Sequence, residues 1–139
     1  MYEDLLARVP LFANLSWRER AWIADACRER DYLPGDDLMR QDNTLGAGLY
    51  ILISGRVRVS WIEAGALIAE LEYAEAGAIL GEQTLLDEVS TTTITAVEPT
   101  HALVLPIWDF RMTLRDFPDI AIHLLAILGQ QLRQREGTT

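Results

Sequence analysis

Apolar and polar positions follow two different periods along this chain, and the changes of period divide it into three regions. The first region has helical spacing. Ser16 and Glu19 are three residues apart, which is the spacing of a capping box that opens a helix. The apolar face of that helix is formed by Trp17, Ala21, Ala24 and Cys27. We therefore predict N-terminal helices over residues 1–32.

Between residues 33 and 107 the period shortens to that of strands. Arg56–Trp61 alternates strictly between polar and apolar residues, which is typical of a half-buried strand. Apolar or β-branched segments separated by turns lie on either side of it: Leu49–Ile53, Leu67–Tyr73, Thr91–Val97 and His101–Leu105. Many short strands at close spacing predict a small antiparallel barrel or jelly roll.

Helical spacing returns in the last region, residues 108–139. Pro118 suits a first helical turn, and an apolar stripe follows it from Ile120 to Leu132. A chain of 139 residues that reads as helices, strands and helices fits one domain spanning residues 1–139. The predicted fold class is mainly β, an antiparallel β-roll or jelly roll with flanking helices.

The charge of the chain excludes some partners. Twelve basic residues, all of them arginine, stand against 21 acidic ones, so the net charge is −9. A nucleic-acid binder needs a basic face to displace counterions from phosphates, and anionic lipid attracts basic segments. We therefore predict no contact of this chain with nucleic acid or with a membrane.

Cysteine and histidine offer little for catalysis. Cys27 is the only cysteine and has no histidine near it in the sequence, so we expect a small packed residue rather than a nucleophile. His101 and His123 are 22 residues apart, without metal-ligand spacing.

The acidic N-terminus does not have the pattern of a signal peptide, which favours a cytoplasmic location. The four tryptophans are interpreted as packing residues, and we expect no enzyme.

The segment that starts at Gly81 interrupts the strands and is the best candidate for binding chemistry. Gly81–Leu86 is long enough for one helical turn, whose free backbone N–H groups suit a phosphate. Glu82 is placed to bond sugar hydroxyls, and Thr91 and Thr92 to donate to phosphate oxygens. The alternative is purely structural, because glycines before a turn and threonines in strands are common without any ligand.

The whole chain resembles a cyclic nucleotide-binding domain, the regulatory module of catabolite-activator-like proteins, protein kinase A regulatory subunits and gated channels. The resemblance rests on segments that follow one another in the family's order: Pro10–Phe12, Leu15–Ser16, Tyr32–Asp36, Gly48–Val57, Gly81–Glu82, Leu85–Leu86, Val97–Thr100 and Val104–Pro106. It implies a double-stranded β-helix with N-terminal helices and a C-terminal helical lid.

The resemblance also implies a ligand, cAMP or cGMP, held without a further cofactor or metal in a phosphate-binding cassette. In that family a Gly-Glu turn and a following Arg-Ser/Thr-Ala form this cassette. Its implied residues here are Gly81, Glu82, Gln83, Thr84, Ser90, Thr91 and Thr92. The family's phosphate-binding arginine corresponds to Ser90, and no Arg or Lys lies between Arg58 and Arg111.

Two functions therefore stand open. The first is a sensor in which nucleotide occupancy changes the packing of the C-terminal helix and the contact with an effector protein. The second is a degenerate domain that binds no nucleotide and acts in protein interaction. Three roles stay open for the C-terminal helix: a cap on the barrel, a mobile lid over a ligand, or the contact of a homodimer. The chain ends at Thr139, where relatives that bind DNA continue into a helix-turn-helix domain.

Overall fold

The computed structural model describes residues 3–9, 11–13, 15–43, 46–82, 84 and 92–137. Within these ranges the helices are α1 (Glu3–Arg8), α2 (Trp17–Ala26), α3 (Ile107–Asp116) and α4 (Pro118–Gly137). The strands are β1 (Arg28–Tyr32), β2 (Asp37–Met39), β3 (Gly48–Ser54), β4 (Val57–Glu63), β5 (Ala66–Tyr73), β6 (Ile79–Leu80), β7 (Thr93–Ala96) and β8 (Thr100–Pro106).

The strands form two antiparallel four-stranded sheets. The first sheet has the order β1-β8-β3-β6 and the second the order β2-β7-β4-β5. Consecutive strands alternate between the sheets at several points, so the chain rolls the two sheets against each other. This is a β-roll with flanking helices, which confirms the predicted fold class.

The first sheet is covered on both faces. On β3 and β8, Leu49, Ile51, Leu103 and Leu105 are buried against the helices, where they meet Phe12, Ile23, Phe110, Ile120 and Leu124. The alternate residues of the same strands point the other way, into the roll, because successive strand side chains lie on opposite faces. There Tyr50 and Leu52 pack with Val57, Leu80, Ile94 and Ala96. A single sheet therefore separates a helical core from the roll interior.

The N-terminal region is only partly helical. Ser16 caps α2 as predicted: the Glu19 backbone N–H donates to Ser16 Oγ at 3.2 Å, and Glu19 Oε1 accepts from the Ser16 N–H at 2.9 Å. The prediction of helices up to residue 32 was wrong, because α2 ends at Ala26 and Arg28–Tyr32 form β1. This strand is held by its antiparallel pairing with β8, a long-range contact that local spacing does not reveal.

The C-terminal helices pack on the outer face of the first sheet. Helix α4 begins at Pro118, as predicted, and buries Ile120 and Leu124. Ile122 and Leu125 are 62% and 66% exposed, so the predicted apolar stripe is divided between a buried and an exposed face. In the described part of the chain, no helix combines the length and the apolar character that crossing a bilayer requires.

The interpretation of the tryptophans as packing residues was wrong for three of the four. Trp17, Trp22 and Trp108 are each more than half exposed. Trp22 keeps one packing contact, an edge-to-face arrangement with Phe117 at 5.3 Å between ring centroids.

Candidate functional site

Gly81 follows β6 and brings the chain against β3. Its φ is +81°, a conformation that side-chain-bearing residues rarely adopt. A Cβ at this position would lie 2.4 Å from the Gly48 carbonyl oxygen and 3.3 Å from the Tyr50 ring. Only glycine therefore allows the strand to end here and the chain to turn at this distance from β3.

The turn after Gly81 places a carboxylate in a buried position. Glu82 is only 7% exposed, and Thr84 is 1% exposed. The Thr84 N–H donates to the Gly81 carbonyl oxygen at 3.1 Å, and Thr84 Oγ1 donates to the same oxygen at 2.8 Å. The Thr84 hydroxyl thus closes the turn, and the buried carboxylate of Glu82 is the chemical group that the turn presents.

The other predicted site residues are only partly covered by the structure. Gln83, Ser90 and Thr91 lie outside the described residues. Thr92 is half-buried directly before β7. Two threonines that follow it have structural partners: Thr93 Oγ1 accepts from the Gln41 N–H at 3.0 Å, and Thr95 Oγ1 donates to Asp37 Oδ1 at 2.7 Å.

The inner face of the β4–β5 hairpin forms an apolar wall that the sequence analysis did not assign to the site. Val57 pairs with Tyr73 and Val59 with Leu71, so these four side chains share a face, and Val57 on that face is buried in the roll. Leu71 and Tyr73 are nevertheless 52% and 36% exposed. Their strict alternation with Glu70 and Glu72 is the sequence signal that identifies the inward-facing positions.

Tyr73 connects this wall to the turn. Burial raises the pKa of the Tyr73 phenol, and the charge of Glu82 raises it further. The two side chains are therefore close enough to interact electrostatically. Together they place a carboxylate, a phenol and an exposed apolar surface at one opening of the roll.

Arg58 of β4 and Arg56, directly before β4, point away from this opening. Arg58 Nε lies 2.7 Å from Glu70 Oε1, and the Arg56 guanidinium lies 3.7 Å from Glu72 and 4.0 Å from Glu98. Glu70 and Glu72 are on the outer face of the hairpin, and Glu98 lies in the turn between β7 and β8. Neither arginine is thus placed to replace a missing positive charge beside Gly81.

Other candidate chemical groups have ordinary surroundings. Burial, with a smaller contribution from the Asp109 charge, raises the pKa of the Cys27 thiol to about 12, so this thiol stays protonated at neutral pH. Across the ranges given above, no group of three His, Cys, Asp or Glu side chains is arranged to hold a metal ion.

Comparisons with known proteins agree with the geometry. The family model described as the cyclic nucleotide-binding domain matches residues 29–117. The chain is 32% identical over 128 residues to the cyclic AMP receptor protein of Thermus thermophilus, covering 91% of this chain and 59% of that one. It is 34% identical over 92 residues to the cAMP-dependent protein kinase regulatory subunit of Colletotrichum orbiculare, covering 63% of this chain and 22% of that one.

A solved structure supports the same comparison. The crystal structure of the Thermus thermophilus catabolite activator protein superposes with a TM-score of 0.76 at 32% identity, covering 91% of this chain and 60% of that one. The chain thus spans about three fifths of the Thermus relative's length and about a fifth of the kinase subunit's.

Proposed function

Because the chain belongs to the cyclic nucleotide-binding domain family, we propose that it is a regulatory sensor module whose ligand is a cyclic nucleotide, cAMP or cGMP. In this proposal the ligand binds at the opening formed by Gly81, Glu82 and the inner face of the β4–β5 hairpin. Occupancy changes the packing of α4 and thereby the contact with an effector protein. The relatives named above are a receptor protein and a regulatory subunit, which supports a role without catalysis.

The buried carboxylate of Glu82 is the observation that carries the proposal. Burying a carboxylate is costly, so a buried glutamate directly after Gly81 is an unusual feature of a turn between strands. Ribose hydroxyls are suitable donors to it. The exposed Tyr73 near it, with Leu71 on the same hairpin face, offers apolar surface to a purine base. The same opening therefore combines the groups that a nucleoside needs.

The missing arginine sets the expected affinity. A buried charge-assisted contact with a phosphate is worth about 1.5–3 kcal/mol, so its absence weakens binding by roughly 10- to 150-fold. A domain that would otherwise bind at about 1 μM then binds at roughly 10–150 μM. Backbone N–H groups of the turn and the hydroxyls of Ser90, Thr91 and Thr92 remain as donors in this proposal.

Transmission to the helices follows from the shared sheet. The strands β3 and β8 present one face to the roll interior and the other to Ile120 and Leu124 of α4. A ligand that binds one arrangement of the roll better than another shifts the population between them, and α4 packs on the same strands. The C-terminal helix is thus the element that transmits ligand binding in the roll to the effector protein.

The second candidate is a domain that binds no nucleotide and acts as an interaction or dimerisation module. It is favoured by Ser90 at the arginine position and by the exposed apolar residues Ile122 and Leu125 on α4. The two candidates differ in one measurable property, which is the affinity for cyclic nucleotides.

Calorimetric titration with cAMP and with cGMP tests the proposal directly. We expect a dissociation constant of about 10–150 μM for one of them, for the reason given above. Absence of heat up to millimolar nucleotide would reject the sensor and leave the interaction module.

Ser90→Arg tests the placement of the cassette. If the family's arginine corresponds to this position, the substitution should strengthen nucleotide binding by roughly 10- to 100-fold. Ser54→Arg, which adds the same charge at the exposed end of β3, is the matched control and should leave the affinity unchanged. Equal affinities in Ser90→Arg and the natural chain would show that the cassette is placed wrongly.

We further propose a cytoplasmic module that works without metal or resident cofactor and does not itself contact nucleic acid or membrane. The net charge of −9 supports the last two points, because both of these surfaces are anionic.

A further inference from the structure

A cavity opens between β1 of the first sheet and β2 of the second, at the edge of the roll away from β5 and β6. Its volume is about 700 Å³, within the range of small-molecule pockets. Arg28, Arg30, Tyr32 and Tyr50 line it, together with Arg40 after β2. Neither Glu82 nor the hairpin residues Leu71 and Tyr73 are among its lining residues, so it is separate from the candidate nucleotide site.

Strand register explains why arginines face this cavity. Arg28 lies opposite Val104, and Val104 lies opposite Tyr50, so these three side chains share the inner face of the first sheet. Arg30 is two residues further along β1 and therefore points the same way. Burial raises the pKa of the Tyr50 phenol, and the Arg30 charge opposes this rise, which places the guanidinium near the Tyr50 ring.

The acidic residues around the cavity already have partners. Asp31 is bonded to His101 on the other face of β1, and Asp36 Oδ2 accepts from the Leu33 N–H at 2.9 Å. Asp37 accepts from Thr95 Oγ1 at 2.7 Å and pairs with Arg40 at 2.9 Å.

Arg28 and Arg30, by contrast, make no ion pair or side-chain hydrogen bond with any residue of the described ranges. Two exposed guanidinium groups thus line one cavity without a direct ion pair to the aspartates that share it.

We propose that this cavity binds the phosphate group of a small molecule, with Arg28 and Arg30 as its ligands. Arginine presents a planar set of N–H donors that matches phosphate oxygens, and a dianion neutralises both charges at once. The Tyr32 and Tyr50 rings and the apolar side chains of Leu38 and Val104 line part of the remaining space, which suits an organic group attached to the phosphate.

Inorganic phosphate and pyrophosphate are the probes for the test, titrated calorimetrically at constant ionic strength in chloride. We expect saturable binding, tighter for pyrophosphate, and at least about a tenfold loss of affinity in Arg30→Gln and in Arg28→Gln. Arg30→Lys keeps the charge but not the planar donor set, and should retain part of the affinity. Arg115→Gln removes an exposed arginine at the end of α3 and should change nothing.

Two results would overturn the proposal. One is absence of saturable heat with either anion up to about 10 mM, an affinity too weak for a specific site. The other is an unchanged affinity in Arg28→Gln and Arg30→Gln when circular dichroism shows both variants to be folded.

The proposed nucleotide function is tested separately, because Ser90→Arg should alter cyclic nucleotide affinity and leave pyrophosphate affinity unchanged. If Ser90→Arg or Glu82→Gln altered pyrophosphate binding instead, the anion would occupy the nucleotide site and the cavity proposal would fail.

Discussion

At the scale of single residues, Gly81 makes the closest backbone approach in the candidate site. Its positive φ alone costs a substituted residue about 1–2 kcal/mol. The added Cβ would also overlap the Gly48 carbonyl oxygen, a backbone atom that cannot rotate away. We therefore expect Gly81→Ala to lower the free energy of unfolding by about 2–5 kcal/mol in total, measured by urea denaturation.

Gly77→Ala separates the two contributions. Gly77 also has a positive φ, +92°, but a Cβ there would meet no atom within 4 Å. This variant should lose only the conformational part, about 1–2 kcal/mol. Equal losses in the two variants would show that the approach to β3 is not what requires glycine at position 81.

His101 is a residue whose charge depends on pH near neutrality. It lies on β8 opposite Asp31 of β1, and its ring nitrogens contact Asp31 and Glu29. The hydrogen bond to Asp31 raises the pKa of His101, partial burial opposes the rise, and Glu29 adds to it. The protonated imidazole, with two N–H donors, therefore holds the edge strand β1 against β8.

The sign of the pH dependence follows from this raised pKa. The stabilisation is fully present below the pKa of the unfolded chain, about 6.5, and is lost as the pH rises through the higher folded value. His101→Gln should therefore lower the free energy of unfolding at pH 6 by less than about 1 kcal/mol, because both carboxylate partners are exposed, and by a smaller amount at pH 9.

Denaturant unfolding from pH 6 to 9 measures this difference, and Asp31→Asn provides the control. In the Asp31→Asn background the His101 substitution should lose most of its pH dependence, because Asp31 makes the largest contribution. A loss of stability in His101→Gln that grows as the pH rises would contradict the assignment.

At the scale of elements, the sequence predicted what depends on local spacing. The α2 capping box and the start of α4 at Pro118 follow from residues a few positions apart, and both were confirmed. The strand β1 was missed because Arg28–Tyr32 is charged, and its pairing partner lies about 70 residues further along the chain. Its inward arginines line the cavity and do not pack in an apolar core. The segment therefore lacks the alternation of apolar and polar residues from which a strand is predicted.

The candidate site shows the same limit. Gly81 and Glu82 were found because a turn and its first carboxylate are adjacent in sequence. Leu71 and Tyr73 were missed because their place on the inner face depends on the register between β4 and β5, and the proximity of Tyr73 to Glu82 depends on how the roll closes. Local spacing thus predicted the turn that carries the Glu82 carboxylate. The apolar face of the β4–β5 hairpin became visible only in the tertiary structure.

At the scale of the whole molecule, two openings of one roll are divided by the residues that fill its interior. Tyr50 marks this division, since its ring adjoins Gly81 on one side and lines the arginine cavity on the other. Its hydroxyl donates to the Leu38 carbonyl oxygen at 2.8 Å and also contacts that of Gly46. The two proposed sites therefore share the Tyr50 ring, whose hydroxyl is held by two backbone carbonyl groups.

The outer surface of the helices leads to a prediction about assembly. Helix α4 exposes Ile122 and Leu125, and α3 exposes Trp108 and Met112. Large exposed apolar side chains on neighbouring helices are typical of interaction surfaces, and a twofold dimer uses the same patch on both copies. We therefore expect a homodimer through α4, observed by sedimentation velocity at micromolar concentration.

Leu125→Glu should convert that dimer to a monomer, because the carboxylate would be desolvated at the interface. The matched control is Leu33→Glu, at a residue that is 69% exposed in the turn between β1 and β2, away from α4. This variant should remain dimeric, and circular dichroism should show both variants to be folded. A monomer in the natural chain at every concentration up to several hundred micromolar, or the loss of the dimer in Leu33→Glu as well, would contradict an interface on α4.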